Sequence, residues 1–172
     1  MFWVIFVGAV LIMLFCVVVF FGAPYLPTLD MQQKAAFKLL ELEPGQTIVD
    51  LGSGDGTILV AGAREGYKMV GYELNPILVA ISYYRTRKYR KDVRIIWGNY
   101  WHKVWPRTDA LYVFLLDRYM EKLNNKIIRN YPEQTIKLVS VAFKVPGKKI
   151  IKQSDGVYLY EYLPEKSTVS TR

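Results

Sequence analysis

Cysteine and histidine are almost absent from this sequence of 172 residues, which contains one of each, Cys16 and His102. One cysteine cannot form a disulfide within the chain, and protein zinc sites need several nitrogen or sulfur ligands. A disulfide framework is therefore excluded, and neither a thiol nucleophile nor a metal centre is expected. Any chemistry must depend on main-chain groups, carboxylates, amides and hydroxyls.

Charge is absent from residues 1–22, which read MFWVIFVGAVLIMLFCVVVFFG. As a helix this segment would be about 33 Å long, enough to cross the hydrocarbon core of a bilayer. A cleaved signal peptide would have a basic start and a shorter apolar core. The segment therefore predicts a transmembrane helix and a single-pass membrane protein. Lys34 and Lys38 follow it, which predicts that the domain lies on the cytoplasmic side, or on the matrix side in a mitochondrion.

The charged residues all follow residue 22, and the formal net charge of the chain is +8. Six cations fall within the ten residues Arg85–Arg94, and three tyrosines lie within or just before this segment. The segment predicts a solvated face or a contact with anionic lipid head groups, ahead of nucleic-acid binding. Its cations are Arg85, Arg87, Lys88, Arg90, Lys91 and Arg94, and the tyrosines are Tyr83, Tyr84 and Tyr89.

The glycine-rich stretch from Asp50 to Thr57 follows an apolar run, and its glycines stand at positions 52, 54 and 56. This pattern is typical of a buried parallel strand, a tight turn and a helix start whose free N–H groups can bind a ligand. A phosphate-binding loop is excluded because no lysine follows. A dinucleotide-binding turn is disfavoured because the third glycine comes one residue early.

A second carboxylate stands at the end of the next predicted strand, residues 67–73. Glu73 is its last residue, and Asn75 followed by Pro76 is a favourable helix start. A carboxylate at this place in a strand–helix–strand unit can accept hydrogen bonds from both hydroxyls of a ribose. Glu73 is therefore predicted to bind the ribose of a cofactor.

Strands and helices alternate along the rest of the chain, which predicts an α/β fold with a parallel sheet. A Ser-Asp-Gly turn predicts a closing antiparallel hairpin. Only residues 144–148 separate the fifth strand from that hairpin, so no helix is expected between the fifth and sixth strands and the fold is expected to be smaller by one helix. The remaining strands are predicted over residues 93–97, 110–116, 136–143, 149–152 and 157–162, with a helix through Met120 and Ile128 to Tyr131.

Residues Asp50–Gly56 resemble motif I of the class I methyltransferases that use S-adenosylmethionine (SAM). Residues Gly71–Pro76, and Pro24–Thr28 ahead of a helix, resemble one subgroup of that class. The subgroup comprises the membrane-associated lysine methyltransferases that modify the adenine nucleotide translocase or the c subunit of ATP synthase, with their archaeal and bacterial relatives. The resemblance implies a Rossmann-like methyltransferase sheet, SAM as cofactor and a lysine of a protein substrate as acceptor.

The resemblance also implies which residues contact SAM. The loop after the third strand borders the adenine in this fold, although many relatives carry an aspartate where this chain has Asn99. The residues so implied are Pro27, Thr28, Asp50, Gly52, Ser53, Gly54, Asp55, Gly56, Thr57, Glu73, Leu74, Asn75, Asn99 and Tyr100. Asp117 and Tyr100 are candidates to receive the proton of the acceptor amine. Capping of the next helix is the alternative role for Asp117, and packing is favoured over base stacking for Trp101 and Trp105.

The predicted organisation has four parts: an anchor (1–22), a proline-rich connector with a helix (23–45), the methyltransferase domain (46–164) and a loose tail (165–172). The first functional hypothesis is a membrane-anchored, SAM-dependent protein lysine methyltransferase. The alternatives are a methyltransferase that acts on a lipid, a small molecule or RNA, and a SAM-binding membrane module without catalysis. The fourth strand is not followed by Asn/Asp-Pro-Pro-Tyr, which disfavours adenine or glutamine as acceptor.

Overall fold

The computed structural model describes residues 2–21 and 30–164, and in the first range it describes side chains for residues 2–10 and 12. Seven strands form one sheet. They are β1 (Thr47–Leu51), β2 (Lys68–Glu73), β3 (Val93–Trp97), β4 (Ala110–Val113), β5 (Ile136–Val141), β6 (Lys152–Ser154) and β7 (Val157–Tyr162). The described α-helices are α1 (Phe2–Phe21), α2 (Asp30–Leu40), α3 (Thr57–Arg64), α4 (Pro76–Arg85) and α5 (Met120–Asn130). Short 3-10 helices cover Arg87–Tyr89, Tyr100–His102 and Asp117–Tyr119.

The strands lie in the order β3-β2-β1-β4-β5-β7-β6. β1 to β5 run parallel, whereas β7 is antiparallel to both of its neighbours, β5 and β6. This arrangement confirms the predicted parallel sheet closed by an antiparallel hairpin. The order of the strands reverses between β1 and β4, and such a reversal leaves a crevice beyond the carboxyl ends of the strands. Asp50, near the end of β1, therefore stands at that crevice.

Two hydrophobic clusters cover the two faces of the sheet. Residues of α2, α3 and α4 pack with Ile48, Met69 and Tyr112 on one face. On the other face α5 packs with residues that include Val49 and Leu138. Because both faces of the central strands are buried, these strands are apolar at nearly every position.

Helix α5 shows how the sequence spacing sets the buried face. Met120, Leu123 and Ile127 are three and four residues apart, so they share one side of the helix. All three are fully buried, whereas Ile128, the next residue, is 40% exposed. The apolar side of α5 therefore lies on the sheet and its polar side faces the solvent.

β4 and β5 end earlier than predicted, and β6 covers Lys152–Ser154 rather than the predicted residues 149–152. β4 ends at Val113 rather than residue 116, because its pairing with β1 ends at Tyr112 and its pairing with β5 ends at Val113. β5 ends at Val141 because Ala142 adopts a positive φ of 68°, which turns the chain out of the sheet. Residues 142–151, all of which are described, contain no helix. The prediction that no helix lies between β5 and β6 is thus confirmed.

The predicted membrane anchor is wrong. Among the described residues, no helix is long and apolar enough to cross a membrane. The transmembrane helix over residues 1–22, the single-pass localisation on the cytoplasmic or matrix side, and membrane contact through that segment are therefore not supported.

Two other predicted features lie outside the described residues. The connector residues Pro27 and Thr28 fall in the range 22–29, and the predicted tail falls in the range 165–172. The helix predicted after the connector is present as α2, and its buried side includes Ala35, Leu39 and Leu40.

The two adjacent isoleucines of α5 provide a matched test of this packing. Ile127→Ala should lower the free energy of unfolding by about 2–5 kcal/mol, because it leaves a cavity between α5 and the sheet. Ile128→Ala should lower it by less than about 1 kcal/mol, because that side chain is largely solvated. Urea unfolding of both variants measures the difference, and equal losses would contradict the orientation of α5.

Candidate functional site

The turn after β1 has two glycines that are needed for different reasons. Gly52 has a φ of 106°, and a Cβ built on it would meet no atom of the described residues within 4 Å, so the space above its backbone is open on that side. Gly56 has a φ of 82°, and a Cβ there would collide with the hydroxyl of Ser82 in α4. The turn therefore exposes main chain to a ligand at Gly52 and packs tightly against a helix at Gly56.

The side chain of Glu73, the last residue of β2, lies against this turn. One of its carboxylate oxygens accepts a hydrogen bond from the N–H of Gly54 at 2.9 Å, and the other accepts from the N–H of Asn75 at 2.7 Å. The residue is buried, with 8% exposure. Each oxygen of a carboxylate can accept about two hydrogen bonds, so both retain capacity for a pair of hydroxyl donors.

Asp50 lies near Glu73, because it is opposite Gly71 on the adjacent strand, two residues before Glu73. It is buried, and its Oδ2 has no hydrogen-bond partner among the described residues. Burial, together with the negative charge of Glu73, raises the pKa of Asp50 to about 8. The hydroxyls of Ser53 and Ser82 are likewise buried without a described partner. The turn is thus surrounded by polar atoms that have unused hydrogen-bonding capacity, which fits a polar ligand.

Asp55 and Thr57 are engaged with each other and with Arg85 at the end of α4. The Asp55 carboxylate accepts from the Thr57 N–H at 3.1 Å and from its hydroxyl at 2.8 Å. It also forms a salt bridge with Arg85 at 2.7 Å, and Arg85 donates a further hydrogen bond to the Thr57 hydroxyl. These contacts fix the start of α3. Sequence reasoning assigned Arg85 only to the basic segment, because the pairing depends on how α4 returns along α3.

The asparagines that follow β2 and β3 each cap the start of a helix. Asn75 caps α4, as predicted, by accepting from the N–H of Ile77 at 2.9 Å. Asn99 caps the 3-10 helix Tyr100–His102 by accepting from the N–H of Trp101 at 2.9 Å. Leu74 is 37% exposed. The carboxamide oxygen of Asn99 is therefore already paired, and its NH₂ group is the part that could contact a base.

Tyr100 belongs to a group of aromatic rings in the segment after β3. Burial raises the pKa of its phenol, with smaller contributions from Tyr119 and Glu73. Its ring centroid is 4.8 Å from that of Trp101, which in turn is 6.3 Å from that of Tyr119. Trp105 is 4% exposed and donates from its indole to the Tyr100 carbonyl. The packing role predicted for Trp105 is confirmed.

Asp117, by contrast, is exposed at the start of the 3-10 helix Asp117–Tyr119. The positions that cap this helix and α5 are occupied by Leu116 and Tyr119, and neither helix has a side-chain cap. The capping role predicted as an alternative for Asp117 is therefore absent. Within residues 2–21 and 30–164, no three His, Cys, Asp or Glu side chains converge as metal ligands would.

The basic segment is exposed, which fits the predicted solvated face, and no contact among the described residues supports its binding to lipid or nucleic acid. All six of its cations are exposed or only partly buried. Arg85 has the structural contacts described above, and the guanidinium of Arg87 lies 4.1 Å from the ring centroid of Tyr84. The hydroxyl of Tyr89 accepts a hydrogen bond from Arg64.

Comparison with known proteins identifies the family. Residues 50–152 match the family model described as the ANTKMT methyltransferase domain. The chain is 32% identical over 153 residues to the ATP synthase c-subunit lysine N-methyltransferase of Xenopus laevis, and the match covers 82% of this chain and 66% of that relative. It is 28% identical over 149 residues to a protein-lysine N-methyltransferase of Saccharolobus islandicus, covering 80% of this chain and 92% of that relative.

A solved structure shows the same fold. An RNA methyltransferase from Salinibacter ruber, crystallised with S-adenosyl-L-homocysteine, superposes with a TM-score of 0.71 at 22% identity. The match covers 82% of this chain and 95% of that chain. The sheet therefore has a Rossmann-like methyltransferase fold. The chain spans about half to two thirds of the length of the ATP synthase c-subunit methyltransferases from Xenopus laevis, Homo sapiens and Rattus norvegicus. Because its family model matches more than half of the chain, the chain belongs to the ANTKMT methyltransferase domain family.

Proposed function

We propose that this protein is a SAM-dependent methyltransferase whose acceptor is a lysine side chain of a protein substrate. The observation that carries the proposal is the buried Glu73 carboxylate, held by two main-chain N–H groups beside the open turn at Gly52. Family membership supports the same activity, and the similar proteins from Xenopus laevis and Saccharolobus islandicus are named as lysine methyltransferases. The catalytic unit is proposed to cover residues 46–164.

The residues around the turn fit SAM in three parts. The free acceptor capacity of Glu73 suits the two ribose hydroxyls. The exposed main chain at Gly52, with the buried Ser53 hydroxyl nearby, suits the methionine part. The adenine is assigned to the space near Leu74, Asn99 and Tyr100. Asp55, Gly56 and Thr57 support the turn, and Pro27 and Thr28 stay predicted contacts outside the described residues.

When bound, SAM would supply the methyl group from its sulfonium sulfur, which departs as the thioether of S-adenosylhomocysteine when the methyl–sulfur bond breaks. The protein mainly has to align the acceptor amine and exclude water, and this alignment can lower the activation barrier by several kcal/mol. The raised pKa of Tyr100 keeps its phenol protonated at neutral pH, so its hydroxyl can orient the amine but is a poor base. Asp117, an exposed carboxylate in the segment after β4, is the proposed proton acceptor.

The lysine acceptor is supported by the residues that come after β4. The chain reads Phe114-Leu115-Leu116-Asp117 there, without the Asn/Asp-Pro-Pro-Tyr sequence that holds planar amino groups in many methyltransferases. A lysine must lose its proton before it attacks, and desolvation in a site lined by aromatic rings lowers the pKa of an amine. The aromatic side chains of Tyr100 and Trp101 provide such surroundings.

Replacing Glu73 tests the cofactor site. Glu73→Gln should weaken SAM binding by about tenfold or more, because the amide has no charge and fewer acceptor positions for the ribose. Isothermal titration calorimetry with SAM measures the change. Glu65→Gln, an exposed acid at the end of α3, is the matched control and should bind SAM normally. An unchanged dissociation constant in Glu73→Gln would contradict the ribose assignment.

Methyl transfer to an extract tests the acceptor. The full chain, incubated with methyl-labelled SAM and a cell extract, should label protein bands that release methyl-lysine on hydrolysis. Glu73→Gln is the control and should transfer little label. Label in RNA or lipid would replace the lysine acceptor with one of those alternatives, and no label in any fraction would favour a SAM-binding module without catalysis.

The buried Asp50 predicts a pH dependence of stability. Its folded pKa of about 8 lies above its unfolded value of about 3.9. Between these values only the folded state holds the proton, so the contribution to stability is complete below about pH 4 and is lost as the pH rises towards 8. The amide in Asp50→Asn does not titrate, so the variant lacks this loss of stability. The free energy of unfolding of Asp50→Asn relative to that of the wild type should therefore rise from pH 5 to pH 8.

Urea unfolding at several pH values measures this effect. Asp92→Asn, which removes an exposed carboxylate, is the control and should follow the wild-type pH profile. Parallel profiles for Asp50→Asn and the wild type would show that Asp50 is ionised in the folded protein.

A further inference from the structure

A groove of about 240 Å³ lies along α5, outside the proposed cofactor site. It is lined by Trp101, Lys122, Lys126, Arg129 and Asn130. The three cations are spaced by four and three residues, so they share one side of the helix. Three positive charges therefore face one concave surface within two helical turns.

These charges are not neutralised by carboxylates. The structure has two salt bridges among residues 2–21 and 30–164, Arg85–Asp55 and Lys152–Glu41, and neither involves the groove. Burial and the charges of Arg129 and Lys122 lower the pKa of Lys126. Mutual repulsion of this kind is relieved when an anion binds. The groove thus carries positive charge that no carboxylate of the described residues pairs with.

The groove adjoins the proposed methyl-transfer site. Trp101 forms one wall, and its ring contacts both Tyr100 and Tyr119. Tyr100 belongs to the proposed adenine side, and Tyr119 follows Asp117 in the segment after β4. A chain bound in the groove would therefore pass close to the place where the acceptor amine is expected.

We propose that this groove binds acidic side chains of the protein substrate, close in its sequence to the lysine that is methylated. The proposal rests on the proposed function for its biological meaning. It adds a substrate class, proteins with carboxylates near the target lysine, because exposed lysine and arginine pair with carboxylates and steer acidic partners.

The aromatic contacts favour a peptide over RNA. Single-stranded nucleic acid binds basic grooves by stacking its bases on open aromatic faces. Here the Lys122 ammonium lies 4.5 Å from the centroid of Trp101, and the Lys126 ammonium lies 4.8 Å from that of Trp105. Lys126 also donates to the Lys103 carbonyl at 3.1 Å. A cation lies over each indole ring and Trp105 is buried, which favours recognition by charge over base stacking.

Binding of a fluorescein-labelled peptide of eight glutamates provides the direct test, measured by fluorescence anisotropy at low salt. The double variant Lys122→Gln/Arg129→Gln should weaken binding about fivefold or more, since each exposed charge contact contributes modestly. Both residues are exposed, so the fold should be retained. Lys88→Gln/Lys91→Gln removes two exposed cations of the basic segment and is the matched control.

The outcomes separate this proposal from the proposed function. Equal weakening in both double variants would show that only net charge attracts the peptide, and would overturn the groove assignment. An unlabelled oligouridylate could also be added as a competitor of the peptide. If it bound more tightly than the peptide, and this binding were lost in Lys122→Gln/Arg129→Gln, the groove would be assigned to nucleic acid and the proposal would be overturned. SAM affinity, measured by calorimetry on the same proteins, should be unchanged by the groove variant. A wild-type protein that does not bind SAM would instead contradict the proposed function.

The effect on methylation is measured with the same variants. In the labelled extract, Lys122→Gln/Arg129→Gln should reduce transfer to acidic proteins by about fivefold while SAM affinity stays at the wild-type value. Unchanged labelling of every protein band would overturn the docking role of the groove.

Discussion

Two buried carboxylates at the ends of adjacent strands are the constraint on which the site depends. In the parallel pairing of β1 with β2, Asp50 lies opposite Gly71, two residues before Glu73, so both carboxylates lie near the carboxyl edge of the sheet. Glu73 stays in place because two main-chain N–H groups donate to it. The Oδ2 of Asp50 has no such donor among the described residues, and burial next to a negative charge favours its protonated form. Asp50 is therefore a neutral acid at neutral pH, whereas Glu73, at the same edge of the sheet, is an acceptor held by main-chain donors.

The turn between these carboxylates is held by close packing as much as by hydrogen bonds. A side chain at Gly56 would collide with Ser82, and one at Gly71 would collide with Ser53. The salt bridge from Arg85 to Asp55 links the end of α4 to the start of α3. The turn, β2 and α4 thus form one unit, and the open space at Gly52 is the side of that unit left to a ligand.

The basic residues serve different purposes in different places. Those of residues 85–94 are solvated, and contact of this segment with lipid or nucleic acid stays a prediction. Lys122 and Lys126 instead lie over indole rings at the edge of the site. A net charge of +8 cannot distinguish these two situations, because the distinction depends on which cations lie on a concave surface and which have aromatic neighbours.

The sequence by itself determined the α/β sheet, the glycine turn, the role of Asn75 as a helix cap and the place of Glu73 at the end of β2. These features depend on local spacing and on residues that are near one another in the chain. Apolarity alone predicted a membrane anchor, which the structure does not support. Only the tertiary structure decided that Arg85 secures Asp55, that Tyr100 lies near Glu73, and that the cations of α5 face Trp101 and Trp105. Each of these contacts joins residues from separate elements, and their distances are set by how the helices pack on the two faces of the sheet.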